Sequence, residues 1–425
     1  MIWLDTVMPF FKVFAAFALM LFFIRIKVPL WLAILGGALG MGLFFGLAPS
    51  LLVQTGASAL VQPKFLVLVS IVGLILMLSG ALEKTGQSAR LMEALGGYLV
   101  RPRLRLVFFP ALIGLLPMPG GAVFSAPMVK SVSQDLEMTN EDRVLINYWF
   151  RHIWEFVWPL YPGFILTVSL AEIPVANFIA HTWPGVPVMF FLGWWFFLRK
   201  TALTVRQGTQ TAQRKGSGLD ILLAGLPLII AICGAIGLEF VLSHAVTTIP
   251  MEMGVIVALA AAVACVMVQN RLGGDFLWHA LTGKGLWSML AVIGAIFIFK
   301  DIMATAGVVE SMAAAAGGAT ALLAASILLP FLVGLISGIN VAFVGATFPL
   351  ILGLLHTLGM EDKVLAYMVL GTFSGFTGVM VSPLHICFLL TTNYFDTELP
   401  RTWRRLVVPC AGIALTGFIL FALLA

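Results

Sequence analysis

Apolar runs of about 20 residues, the length of one bilayer crossing, alternate along this chain with short polar breaks. In the first half they fall near residues 7–24, 28–47, 65–82 and 176–198, and in the second near 219–242, 251–268, 285–302 and 405–425. Four further apolar stretches cannot be single helices. Residues 106–130 carry Pro117, Pro119, Gly120 and Gly121, and residues 318–350 carry Ser337, Gly338 and Asn340. Proline removes a backbone donor and glycine supports turns. Each stretch therefore predicts a helical hairpin that enters the membrane and turns back. The runs at 143–172 and 363–395 are interrupted by Pro159 and Pro162 in one case, and by a cluster of glycines and hydroxyls before Pro383 in the other. These predict broken helices. Non-helical backbone at membrane depth survives only where protein buries it or it lines a wet cavity.

The second half replays the first. Glu141-Asp142-Arg143-Val144-Leu145 matches Glu361-Asp362-Lys363-Val364-Leu365, a shift of 361 − 141 = 220, and Gly114-Leu115-Leu116 matches Gly334-Leu335-Ile336 at the same shift, as does Thr182-Trp183 with Thr402-Trp403. One shift holding across most of each half predicts an internal duplication. Each half then has five full crossings, an odd number, so the halves sit upside down to each other. The expected fold class is an all-α membrane protein of two inverted repeats, each with five transmembrane helices, one re-entrant helical hairpin and one broken helix. The repeats are expected at 1–198 and 219–425, joined by a cytoplasmic linker at 199–218.

Composition agrees. The chain is 61% hydrophobic and 10% charged, against roughly 25% charged in soluble domains, and its mean hydropathy is +1.06. The net charge of +5 does not point to nucleic acid, because the basic residues lie between apolar segments. Their partners are water and the anionic headgroups of the lipid bilayer. With both termini outside, of the 24 Lys and Arg only Lys64, Lys300 and Lys363 fall outside, Lys12 and Arg151 lie within spans, and the other nineteen fall inside. That bias fits the positive-inside rule and a multi-pass protein of a prokaryotic cytoplasmic (inner) membrane. Asp5 and Lys12 mark the first run as a retained helix, not a cleaved signal. The four cysteines, Cys233, Cys265, Cys387 and Cys410, read as small residues in apolar segments. There is no GxxxxGK[ST], no HExxH, and no Cys/His metal cluster by spacing. No organic cofactor and no metal beyond a sodium ion is expected.

Candidate chemistry collects at the breaks. The first reads NYWFRHIWEFVWPLYPG, from Asn147 to Gly163. Ionisable residues inside a span usually face a cavity or a partner. Arg151 or His152 would attract an anion. Glu155 or His152 would carry a coupled proton. Arg151 and Glu155, four apart, would equally pair on one helix face as a structural couple. In the second, GTFSGFTGVMVSP from Gly371 to Pro383, the glycines beside Thr372, Ser374, Thr377 and Ser382 suggest an unwound stretch whose carbonyls and hydroxyls take a cation. Gly371 and Gly375 also form a GxxxG pair of the kind that packs helices. The tips complete the set. Pro119, Gly120 and Gly121 bring backbone to the site, with Ser125 behind them, and Ser337, Gly338 and Asn340 face them from the second half. Glu155, Ser337, Asn340, Thr377 and Ser382 are the expected ligands of the coupling ion, Na+ or H+.

With two halves of five spans, each with a hairpin and a broken helix, the chain resembles the ion transporter superfamily, whose members include the divalent anion:sodium symporters. PMPGGAVFSAP and RHIWEFVWPLYPG are similar to an uncharacterised integral-membrane branch of that superfamily. The resemblance implies a homodimeric elevator, with a scaffold at about 1–64 and 219–284 and a transport body of hairpins and broken helices. In the symporters the tips carry Ser-Asn-Thr motifs. Here the second tip keeps Ser337 and Asn340 without the adjacent threonine, and the first tip has no side-chain ligand. The expected function is secondary active transport of a small anionic metabolite, an organic acid, coupled to sodium or protons. The alternatives are a cation/proton antiporter on the same fold and, from another class, a membrane-embedded enzyme or flippase acting on a lipid-linked substrate. Duplication argues against an enzyme, because the second half places Thr372 and Gly375 where the first has His152 and Glu155.

Overall fold

A computed structural model describes the chain except residues 1, 97, 100, 116–120, 135, 200–216, 246–251 and 316–317. The described residues form helices and connecting turns, with no strand among them. The first half runs α1 (Ile2–Arg25), α2 (Leu30–Phe44), α3 (Pro49–Ala59), α4 (Pro63–Lys84), α5 (Gln87–Gly96), α6 (Pro102–Gly114), α7 (Ala122–Val132), α8 (Asn140–Arg151), α9 (Pro162–Ala171), α10 (Val175–Thr182) and α11 (Gly185–Gly193), which continues as a π-helical turn to Leu198. The second half runs α12 (Gly218–Ala245), α13 (Glu252–Asn270), α14 (Gly274–Thr282), α15 (Lys284–Thr305), α16 (Val308–Ala315), α17 (Ala319–Ser337), α18 (Asn340–Thr357), α19 (Val364–Met380), α20 (Ile386–Tyr394) and α21 (Leu399–Leu424). Ten helical stretches among the described residues are long and apolar enough to cross a membrane. The protein is an integral, multi-pass, all-helical membrane protein.

Local chemistry sets the boundaries. Pro49, Pro63, Pro102 and Pro162 open helices, where a missing N–H costs nothing. The expected span at 28–47 is only the 15-residue α2, because the chain turns at Phe45–Ala48 with Gly46 at φ +86°. Thr139 caps α8 in a reciprocal box with Asp142: its hydroxyl accepts from the Asp142 N–H at 3.1 Å, and Asp142 accepts from the Thr139 N–H at 3.3 Å.

Two packed groups result. On one side α1–α4 gather with α12, α13, α15 and α16. On the other, α6–α8 pack together with α20, and α17–α19 with one another and with α21, while α18 bridges to α9, α15 and α16. Every residue of α19 from Ala366 to Met380 is buried. The outer helices expose Leu219, Leu222, Val257, Val268, Val408, Leu415 and Leu423. That is the pattern of a protein whose rim faces lipid.

The two hairpins differ in length. The first has arms of 13 and 11 residues, about 20 and 17 Å long at 1.5 Å per residue. These are too short for a hydrocarbon core of about 30 Å. The second has arms of 19 and 18 residues, each of crossing length, and its second arm runs to Thr357 instead of stopping near residue 350. The expected end of the second hairpin near residue 350 is corrected on this point.

Candidate functional site

The site is built around the ten residues between α8 and α9, His152 to Tyr161, where helix is absent. α8 ends at Arg151, and Pro159 and Pro162 prevent it from resuming before α9. The gap is held by side-chain donors. Trp154 Nε1 donates to the Ala111 carbonyl at 2.8 Å, Trp158 Nε1 to Leu115 at 2.6 Å, and the Tyr161 hydroxyl to Gly114. Those carbonyls are the orphaned last turn of α6, just before the first hairpin tip. A helix end at membrane depth needs such partners. The pattern of these aromatics along the chain does not show this job. Their spacing of three and four looks helical, and their partners lie 43 and 47 residues upstream. Thr182 Oγ1 donates to Phe156 O at 2.7 Å, and the Phe156 ring stacks on Phe373 of α19 at 4.1 Å.

Arg151 is the buried charge at the centre, 3% exposed. Its carbonyl lies against Gly114, where an added Cβ would sit 2.1 Å from the oxygen. Its guanidinium lies beneath Gly121 at the start of α7, where a Cβ would come within 2.5 Å of Nη2. Nη1 lies 3.3 Å from Cys387 Sγ of α20 and 3.5 Å from His152 Nε2. Arg151 thus touches the first tip, its own break and the second broken segment. The positive end of α7 adds to the same field. No ion pair within 4.0 Å joins Arg151 to Glu155. The helical pairing considered from their spacing is lost because α8 stops at Arg151.

Glu155 instead accepts a hydrogen bond from Asn340 Nδ2, at the tip of the second hairpin. That tip is wedged between both broken segments. Gly338, at φ +66°, presses against the backbone of Leu384–His385, and Gly163 of α9 against Asn340 and the Val341 N–H. Ser337 Oγ accepts from the Ile339 N–H at 3.2 Å and shapes the turn. Asn340 Oδ1 is buried without a protein partner.

The second broken segment departs from the sequence reading. α19 is unbroken from Val364 to Met380, so Thr372, Ser374 and Thr377 lie on continuous helix and the gap is Val381–His385. The glycines there serve packing. Gly371 and Gly375 admit the rings of Phe348 and Phe343, and Gly378 admits the Phe331 carbonyl of α17. Thr377 Oγ1 donates to its own helix at Phe373 O, 2.7 Å away, and Thr372 Oγ1 is buried without a partner. Ser382 Oγ accepts from the Leu384 N–H at 3.2 Å, and Trp403 Nε1 donates to Val381 O at 2.6 Å. Ser125 is buried, and its hydroxyl reaches Ala122 O at 3.4 Å. Pro119 and Gly120 lie outside the described residues, as does most of the 199–218 linker.

The fold also assembles a Cys/His group that spacing along the chain does not show. The ligand atoms of His152, His385 and Cys387 lie within 4.8 Å of one another, all buried. Spacing could not show this, because 385 − 152 = 233 residues separate the two histidines. Tyr148 closes the group, its hydroxyl donating to Met380 O at 3.1 Å and lying 3.2 Å from His385 Nδ1.

The family described as "Protein of unknown function (DUF401)" matches residues 11–424. This chain belongs to the DUF401 family. No curated protein matches it significantly. Among solved structures, the crystal structure of the YdaH transporter of Alcanivorax borkumensis, described as having an unusual topology, is similar at 16% identity. The similarity covers 88% of this DUF401 chain and 86% of that one, with a TM-score of 0.49.

Proposed function

We propose that this DUF401 protein is a secondary active transporter of a small anionic metabolite, an organic acid, coupled to protons or sodium. The observation that carries the reading is Arg151. A guanidinium buried within an apolar protein, under a hairpin tip and beside a helix N-terminus, is a costly arrangement that anion recognition explains. The second hairpin meets the same region through Asn340 and Glu155, so its tip is read as re-entrant despite the length of its arms. Inverted duplication accounts for two tips and two breaks at one place. We read the hairpins and broken helices as the moving body of an elevator and the α1–α3 and α12–α14 regions as a homodimeric scaffold. The protein then sits in a prokaryotic cytoplasmic membrane with both termini outside, as the Lys and Arg distribution favours.

Glu155 supports a second reading, cation/proton antiport, since a carboxylate in a helix break, bonded to a hairpin tip, can exchange a proton for a cation. Proteoliposomes separate the two. Symport of an organic acid requires labelled acid to accumulate under an imposed sodium or proton gradient. Antiport requires cation flux against a pH gradient without any acid. Beforehand, a thermal-shift screen of organic acids with and without sodium narrows the panel, because ligand occupancy stabilises the folded state. Stabilisation by none of the acids, together with no accumulation, would remove the anion reading.

A further inference from the structure

We propose that His152, His385 and Cys387 form a soft-metal site that takes a monovalent d10 ion, of the copper(I) or silver(I) class, in exchange for a proton. Two of the six histidines and one of the four cysteines converge here from two segments far apart in sequence. The ring orientations are fixed from behind. His152 Nδ1 donates to Tyr148 O at 2.6 Å, and His385 Nδ1 to Val379 O at 3.2 Å. Each ring therefore presents Nε2 as a lone pair, which is how a backbone carbonyl prepares a histidine to ligate. Imidazole nitrogens with a cysteine sulfur are a soft donor set. With bonds of about 2.0–2.3 Å, ligand atoms in such a site stand roughly 3.5–4 Å apart. The present spread of up to 4.8 Å closes by small side-chain rotations.

Arg151 decides the charge of the ion. Its Nη1 stands 3.3 Å from Cys387 Sγ, so any metal shares the site with a buried cation. A monovalent ion replaces the thiol proton: Cys–SH + M+ gives Cys–S–M + H+, and no charge is added beside the guanidinium. A divalent ion would add one positive charge there, and burying uncompensated charge is expensive. The site should thus discriminate against Zn2+ although its donors suit zinc.

The test uses the full chain purified in detergent, with Cys233, Cys265 and Cys410 replaced by alanine so that exposed Cys233 does not take up metal itself. Silver(I) is the probe, and metal retained through gel filtration is counted by mass spectrometry. The expected result is about one silver per chain, falling roughly tenfold or more in Cys387→Ser and in His385→Gln, with Zn2+ not retained. The two substitutions remove a sulfur and a nitrogen ligand separately, so one misfolded variant does not spoil the measurement. No silver on the parent protein, or equal silver on Cys387→Ser, would overturn the site. Equal retention of Zn2+ would overturn the charge argument. None of these readouts depends on transport.

Discussion

The two broken segments share a register but divide the work. The first is open for ten residues and the second for five, because α8 stops at Arg151 whereas α19 runs on to Met380. The equivalent of Arg151, by 151 + 220 = 371, is Gly371, and the equivalent of Glu155 is Gly375. Where the first half places charge, the second places glycines against Phe348 and Phe343. The first gap is lined by Arg151, His152 and Glu155 and tied by three aromatic donors. The second is tied by Trp403 and Ser382. Along the register of 220, the first segment holds most of the chemistry while the second holds the packing.

The strongest test of the shared skeleton is its close approaches. Gly114 and Gly334 are equivalent, and each lies against a backbone carbonyl, of Arg151 and of Gly375, where an added Cβ would stand 2.1 and 2.3 Å away. Backbone cannot swing aside as a side-chain end can. Gly114→Ala and Gly334→Ala should both cost more than about 3 kcal/mol, the upper range for overpacking. Thermal unfolding in detergent or loss of monodisperse protein reads this out. A mild effect at one position only would mean that the halves are built on different contacts.

Charge should separate the halves. Arg151→Lys keeps the charge and loses the planar fork. Loss of a charge-assisted hydrogen bond, about 1.5–3 kcal/mol, should lower uptake of the anion roughly 10- to 100-fold. Asn340→Ala leaves the Glu155 carboxylate without its donor and should lower uptake by a similar factor while the protein stays folded. Cys233→Ala, on the exposed face of α12, should change neither property. Uptake by Arg151→Lys equal to wild type, at matched protein in proteoliposomes, would remove Arg151 from the site.

Much of this skeleton was legible in the sequence. Apolar length gave the crossings, Pro159 and Pro162 gave the first break, and Ser337-Gly338-Ile339-Asn340 gave the second turn. What escaped depends on neighbours remote in the chain. Gly371, Gly375 and Gly378 looked like loosened helix because glycine serves both unwinding and packing. Only Phe348, Phe343 and the Phe331 carbonyl decide between them. Cys387 reads as a small residue in an apolar segment, and only folding sets it and His385 beside His152. The Tyr161 hydroxyl is bonded to Gly114 across a gap that local pattern cannot bridge.

Those hidden bonds give the next smaller effect. Trp158→Phe leaves the Leu115 carbonyl without its donor, Tyr161→Phe does the same to Gly114, and Trp403→Phe to Val381. An orphaned buried acceptor costs about 1–3 kcal/mol. The double variant Trp158→Phe/Tyr161→Phe should be less stable than Trp403→Phe, since the longer gap relies on more side-chain donors. The reverse order in reversible unfolding would mean that the first gap is held by its packing against Phe373 instead.

The smallest effects test whether α19 has any part in the chemistry. Thr377 Oγ1 is spent on its own helix, so Thr377→Val exchanges a local bond for a methyl group. Stability should stay within about 0.5 kcal/mol, and uptake should be unchanged. Thr372, the equivalent of His152 by 152 + 220 = 372, is more informative. Its Oγ1 is buried with no protein partner. An apolar isostere there removes an unsatisfied polar atom, so Thr372→Val should raise stability by about 1 kcal/mol. If no transported species uses that oxygen, uptake follows the wild type. A variant more stable yet tenfold slower would show that the partner of Thr372 is the substrate or its coupling ion. The second half would then carry chemistry of its own, at the position where the first carries His152.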